Sequence, residues 1–203
     1  METGRLLPIP DCTAVILAGG KGRRMKREKL YLNVKNTTLF DLTVSQAEML
    51  FHKLLISVSS SSRISNDRWP IVTDIVEGKG PLAGILTGLN HSGTEKNFIT
   101  AADIPEWPSG LIRLMYKYTD LYDIVLPGSD PEKIEPLFGF YKKAVIPVIE
   151  ENLRNGKYKI LELTVRCRTK IVPMELNGRY FNINTEDDYR DYLAFLGKAE
   201  KDQ

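Results

Sequence analysis

Cys12-Thr-Ala-Val-Ile-Leu-Ala18, followed at once by Gly19-Gly-Lys-Gly-Arg-Arg-Met25, is the stretch on which the fold turns. A continuous apolar run that stops at glycines reads as a strand buried on both faces, and such strands belong to parallel sheets. The loop that leaves it is basic. Lys21, Arg23, Arg24, Lys26, Arg27 and Lys29 are opposed by Glu28 alone, a local charge of +5 in a chain of net charge +2, so the remainder carries −3. Nucleic-acid-binding domains spread their basic residues over a face. Charge focused on one bend that also holds Gly19, Gly20 and Gly22 fits a compact polyanion, although a basic run taken alone fits a solvated loop equally well.

Downstream of the loop, strands and helices alternate. Leu30–Val34 is strand-like and closes in the turn-prone Lys35-Asn-Thr-Thr38. Phe40, Val44, Ala47 and Phe51 recur at helical spacing, which predicts a helix over 39–52. Lys53–Val58 reads as a second buried strand, Ser59-Ser-Ser-Ser62 as a polar loop, and Pro70–Asp74 as a weaker third strand. Pro81 opens the next helix at a position where a missing N–H costs nothing, and Gly84 and Gly88, one turn apart, predict a close approach to something. Asn97–Ala102 is a fourth strand terminated by Asp103-Ile-Pro105. Helices are expected over 108–118 and 142–155, and strands over 123–126 and 136–141. Thr185 is a good helix N-cap, with acids in the turn after it.

This alternation predicts an α/β fold: a three-layer αβα sandwich around a mostly parallel, Rossmann-like sheet, in one domain spanning 1–203. In such sheets ligands bind beyond the carboxyl ends of the strands. The loop after Ala18, the Ser59 region and Asp103 are therefore expected to converge.

Composition narrows the chemistry. The chain has 203 residues, 42% hydrophobic and 27% charged, an ordinary globular balance. No apolar run is long enough to span a bilayer, and Met-Glu-Thr-Gly-Arg5 lacks the order of a signal peptide, so a cytoplasmic protein without membrane association is expected. Cys12 and Cys167 are far apart and lack histidine partners, which argues against a disulfide framework or a zinc site. His52, expected at a helix end, and His91, near a Ser-Gly turn, read as surface histidines, and no Gly-x-Ser-x-Gly elbow accompanies them. Chemistry is left to carboxylates, lysine, arginine and backbone dipoles.

The glycine loop is not a dinucleotide fingerprint. In Gly20-Lys-Gly-Arg-Arg-Met25 a methionine replaces the third glycine, and no Gly-x-x-x-x-Gly-Lys-Ser/Thr occurs anywhere. Glycines let backbone N–H groups approach phosphate oxygens, arginine forks bind phosphate bidentately, and lysine adds a point charge. Leu17-Ala-Gly-Gly-Lys-Gly-Arg-Arg-Met25 with Lys29 resembles the signature loop of nucleotidyltransferases that activate small phosphorylated molecules. With Gly80-Pro-Leu-Ala-Gly84, Asp103-Ile-Pro105, Glu135-Pro-Leu-Phe138 and Phe181-Asn-Ile-Asn-Thr185 in this order, the chain resembles the molybdenum cofactor guanylyltransferase family from about Thr13 to Leu193.

That resemblance implies transfer of GMP from GTP to the terminal phosphate of molybdopterin, with release of pyrophosphate and with Mg²⁺ as cofactor. GTP and molybdopterin are the implied partners, with cofactor-delivery or acceptor proteins as further candidates and nucleic acid excluded. It also implies roles. The backbone of Leu17, Ala18 and Gly19 holds the nucleotide, and Gly20 and Gly22 form the phosphate turn. Arg24 and Lys29 stabilise charge. Asp103 takes the metal and, with Asp74 and Ser59, contacts the nucleotide; Ser59 stands where the family often has asparagine. Asn182 and Asn184 lie on the pterin-phosphate or metal side. By analogy with the Leu-Ala-Ala-Gly of related cytidylyltransferases, a methyl group at Gly19 would crowd a purine.

Read without the resemblance, Asp103 fits an Asx-turn and the two asparagines fit a polar strand end. A cytidylyltransferase of the same cofactor, a sugar-phosphate nucleotidyltransferase and a non-catalytic nucleotide-binding protein on the same fold all remain open. The family often has glycine after the loop methionine and aspartate before the lysine, where this chain has Lys26 and Glu28.

Overall fold

A computed structural model of the chain describes residues 7–19, 29–60, 64–76, 78–130, 133–174 and 181–199. The apolar run forms β1 (Ile9–Leu17), which lies in the interior of the sheet. Its parallel neighbours are β4 (Phe51–Val58) on one side and β6 (Lys96–Ala101) on the other. Pairing places Leu17 opposite Ser57 and opposite Ala101, so the three strands end level with one another. β5 (Ile71–Thr73) extends the sheet beyond β4, in parallel.

Beyond β6 the order continues through β9 (Phe138–Lys142), β7 (Ile124–Asp130) and β10 (Thr169–Pro173), with the short β8 (Lys133–Ile134) on β7. β9 runs antiparallel to both of its neighbours, whereas β10 pairs with β7 in parallel. The sheet is mixed and mostly parallel, as expected. A separate two-stranded hairpin, β2 (Asn33–Val34) with β3 (Thr37–Thr38), follows a 3₁₀ turn over Lys29–Tyr31. The single strand expected over 30–34 is thus a turn and half a hairpin.

Alternation along β1 sends its side chains to two cores. Ala14 and Ile16 join Phe98, the α1 (Leu39–Leu50) residues Phe40, Val44 and Ala47, and Ile112 and Met115 of α3 (Ser109–Tyr116). Val15 and Leu17 face Leu82, Ile85 and Leu89 of α2 (Pro81–His91), Ile149 of α4 (Ile146–Arg154) and Leu163 of α5 (Leu161–Thr164). These are the outer layers of the expected αβα sandwich. A third cluster joins Val34 and Leu39 to Ile183 and to Tyr192 of α6 (Glu186–Ala199).

The glycines of α2 meet the close approach read from their spacing. A Cβ on Gly88 would lie 2.4 Å from Val15 Cγ1, and one on Gly84 would lie 3.2 Å from Leu17 Cδ2. α1 ends at Leu50, earlier than its periodicity predicts, because Phe51 is already extended and pairs in register with Ile9. His52 consequently lies in β4, exposed, and not at a helix end. Among the described residues no helix is long and apolar enough to cross a membrane.

Candidate active site

The carboxyl ends of β1, β4, β5 and β6 are stitched together by main-chain hydrogen bonds just past the strands. Ala18 N–H donates to Ser57 O at 2.8 Å, Ala102 N–H to Leu17 O at 3.0 Å, and Asp74 N–H to Val58 O at 2.8 Å. The described residues singled out in these loops are thereby brought to the carboxyl end of the central strands.

On the β4 side, Gly19, Ser59 and Asp74 come together. A Cβ built on Gly19 would stand 2.9 Å from Ser59 N and 3.5 Å from Asp74 Oδ2, so a side chain there forces the β4 loop to move. The crowding expected of a methyl at this position therefore falls first on the protein's own backbone. Asp74 is half-buried and held. Its Oδ1 accepts from Ser57 Oγ at 2.8 Å, and the same hydroxyl is 3.4 Å from Gly84 O. Burial raises the Asp74 carboxyl above its ordinary value, and the Ser57 hydrogen bond offsets part of that rise. Ser57 is a residue that sequence reasoning passed over. It reads as one more polar residue at the end of a buried strand, and only the pairing of β4 with β5 brings Asp74 to it.

On the β6 side, Asp103 follows Ala101 and Ala102 at the strand end, half-buried. Its carbonyl oxygen accepts from Ile183 N–H at 3.1 Å. Ile183 is buried in the third core cluster, which sends the flanking amides outward together. Asn184 Nδ2 donates to Asn182 Oδ1 at 2.8 Å, so the two share one side of the segment. The segment is held by a capping box on α6. Asn184 and Thr185 N–H groups donate to Asp188 Oδ2, and Asp188 N–H donates back to Thr185 Oγ1 at 3.2 Å. Tyr192 Oη donates to Glu106 Oε1 at 2.8 Å, and Tyr189 Oη to Asn33 O, which ties α6 to both the Asp103 loop and the hairpin.

Gly20, Gly22 and Arg24 lie outside the described residues. Lys29 opens the 3₁₀ turn, whose Leu30 packs against the first core, and the Lys29 side chain lies outside the described residues.

Among the described residues no group of three or more His, Cys, Asp or Glu could hold a metal ion. Among the described residues the end of β6 offers one carboxylate, Asp103, and the segment of its backbone partner Ile183 carries two amide side chains, Asn182 and Asn184. That donor set suits Mg²⁺, which is commonly bound by one or two carboxylates, substrate phosphates and water, and not by a protein cage.

A mostly parallel sheet whose strand ends gather a bare glycine backbone, a held carboxylate and a second aspartate whose backbone is tied to the segment carrying two asparagines fits a nucleotide-binding αβα protein of the nucleotidyltransferase class. The chain belongs to the MobA-like NTP transferase family, whose domain model matches residues 14–169. It is 33% identical over 197 residues to a protein of Carboxydothermus hydrogenoformans that carries the name "Probable molybdenum cofactor guanylyltransferase", a match covering 94% of this chain and 99% of that one. A protein of the same name from Pelotomaculum thermopropionicum is 31% identical, over 88% of this chain and 90% of its own. Among solved structures, molybdopterin-guanine dinucleotide biosynthesis protein A from Archaeoglobus fulgidus superposes with a TM-score of 0.78 at 24% identity, over 92% of this chain and 99% of that chain; this likeness is one of fold.

Proposed function

We propose that this chain transfers GMP from GTP to the terminal phosphate of molybdopterin, forming molybdopterin guanine dinucleotide and releasing pyrophosphate. The observation that carries this reading is the meeting of two clusters across the end of β1, Gly19 with Ser59 and Asp74 on one side and Asp103 with the Asn182–Asn184 segment on the other. A nucleotide held on the first and an acceptor phosphate on the second would bring the reacting groups over one strand end.

In this scheme an oxygen of the acceptor phosphate attacks the α-phosphorus of GTP. The bond from that phosphorus to the bridging oxygen breaks, and its electron pair leaves with pyrophosphate. The attacking phosphate is already ionised, so no general base is required, and positioning with charge stabilisation does the work. The backbone of Leu17, Ala18 and Gly19 lines the nucleoside, and Gly20 and Gly22 shape the phosphate turn. Arg24 and Lys29 neutralise charge that builds on the leaving phosphates. Asp74 offers Oδ2 toward the Gly19 side while Ser57 holds Oδ1, and Ser59 presents a backbone amide beside Gly19. Asp103 would hold a divalent cation, Mg²⁺, with Asn182 and Asn184 on the acceptor side. When bound, the cation supplies Lewis-acid stabilisation of the phosphate oxygens.

The test is release of pyrophosphate from GTP that requires both Mg²⁺ and molybdopterin. Release from CTP in preference to GTP would reassign the base. Tight GTP binding without turnover on a competent acceptor would make the chain a nucleotide-binding protein and not an enzyme.

A further inference from the structure

Thr43 is fully buried on α1. Its hydroxyl lies 3.1 Å from the carbonyl oxygen of Ala102 and 3.3 Å from that of Ile104, as well as 3.1 Å from Leu39 O in its own helix. The first two carbonyls bracket Asp103. A helical threonine can satisfy its hydroxyl on the preceding turn alone, and valine or alanine would fill the core without a polar atom to satisfy. Here the one hydroxyl is shared, beyond its own helix, with the carbonyls of the two residues on either side of Asp103.

The rest of the turn is held as fully. The Asp103 carbonyl accepts from Ile183 N–H, and Ala102 N–H donates to Leu17 O. The Ile104 carbonyl also accepts from Trp107 Nε1–H at 2.9 Å. Thr43 is the only side chain among these partners that reaches both sides of Asp103.

We propose that Thr43 is a positioning residue for Asp103, which sets the direction of its carboxylate toward the divalent cation and the triphosphate. The inference rests on the reading of Asp103 as a metal ligand given above. It follows from the poverty of the donor set. Where the described residues offer a single carboxylate there is no cage to correct a misdirected ligand, and Mg²⁺ tolerates little departure from octahedral geometry. Aim must come from what holds the backbone of that ligand.

The experiment compares two pairs of variants that differ by the hydroxyl: the wild type against Thr43→Val, and Thr43→Ser against Thr43→Ala. Uptake of Mn²⁺ in the presence of GTP and without acceptor is followed by electron paramagnetic resonance, alongside metal-free GTP affinity, thermal unfolding and Mg²⁺-dependent turnover. Mn²⁺ affinity is expected to fall about tenfold or more in Thr43→Val and Thr43→Ala, and to stay within about twofold of wild type in Thr43→Ser, the range seen when outer-shell partners of a metal ligand are removed. Metal-free GTP affinity is expected to be unchanged in all of them. Thr43→Val taking up Mn²⁺ like wild type, or Thr43→Ser failing together with Thr43→Ala, would overturn the proposal. Asp103→Asn is the control that separates the two readings. If it loses Mn²⁺ uptake while Thr43→Val keeps it, only the positioning role fails. If Asp103→Asn itself binds normally, the metal-ligand reading fails and takes this inference with it.

Discussion

The N–H of Ile183 donates to the carbonyl oxygen of Asp103 at 3.1 Å, joining the segment before the last helix to the end of β6. Two parts of the chain remote in sequence thereby share one strand end. The buried Ile183 side chain anchors the contact, and Asn182 and Asn184, which flank it in sequence, are hydrogen-bonded to each other on the opposite side of the segment. The proposed acceptor side would then depend on α6, whose capping residues hold this segment.

Asp103→Asn is expected to cut turnover by about 10²–10³-fold, the equivalent of several kcal/mol of lost metal-borne charge stabilisation. The melting temperature should hardly move, because the substitution is nearly isosteric and the backbone holds the turn. Steady-state pyrophosphate release with parallel calorimetric melting decides it, and turnover equal to wild type would remove Asp103 from the mechanism.

Asp74 gives a pH dependence of defined sign. Its carboxyl is raised above the usual aspartate value by burial, with the Ser57 hydrogen bond opposing the rise. In the nucleotide-free protein the carboxylate is therefore lost on acidification at a higher pH than an ordinary aspartate. As pH falls, GTP affinity is expected to decline above the ordinary carboxylate range near pH 4. Ser57→Ala removes the opposing hydrogen bond and should move that decline to still higher pH, whereas Asp74→Asn should flatten it. The same raised value makes ionisation of Asp74 a cost to folding, incurred as pH rises through the ordinary value toward the raised one. Isothermal titration with GTP across about pH 4–7 reads the binding effect, and an unshifted profile in Ser57→Ala would contradict it.

Gly88→Ala tests the packing of α2 on the sheet. The added methyl would meet Val15 Cγ1 at 2.4 Å. Overpacking of this kind costs about 1–3 kcal/mol. At this chain length each kcal/mol lowers the melting temperature by about 2–4 °C. Combining it with Val15→Ala should recover part of the loss, because the two atoms in conflict are the ones removed and added. Strict additivity in a thermal double-mutant cycle would show that the helix relieves the clash by moving as a body.

Arg24→Ala is expected to depress turnover more than Lys26→Ala does. In the proposed scheme Arg24 would act on the transferring phosphates at the transition state, whereas Lys26 would only steer polyanions from solvent. Raising the ionic strength should narrow the effect of Lys26→Ala on kcat/KM and leave that of Arg24→Ala nearly intact. The reverse order of the two variants would mean that the loop is held in another way.

Much of this protein is legible one-dimensionally because its central strands carry short, apolar-rich runs. β1 and β4 read as buried strands for that reason and β6 as a fourth strand, and the rule that ligands sit at strand ends then directs attention to Gly19, Ser59 and Asp103. Gly84 and Gly88 announce a close approach through their spacing, although not the partner, which is β1. The helix over 39–52 runs too long on paper because Phe51 serves helical periodicity and strand pairing equally well, and its pairing with Ile9 decides for the strand. β10 and α5 escape detection. Their apolar residues are few, and their stability comes from β7 and the second core and not from local preference.

Local pattern and residue chemistry alone determine the αβα class, the glycine- and arginine-rich sequence after β1, and the two aspartates that follow strands, since burial periodicity and phosphate chemistry are written in short stretches of chain. Which groups face one another is decided only by the tertiary structure. Ser57 beneath Asp74, Ser59 against Gly19, Ile183 on Asp103 and Thr43 beneath the Asp103 turn all depend on strand register and helix docking. Those contacts span segments that no sequence window contains, and a hydroxyl or an amide acquires its role only when the packed backbone brings it a partner.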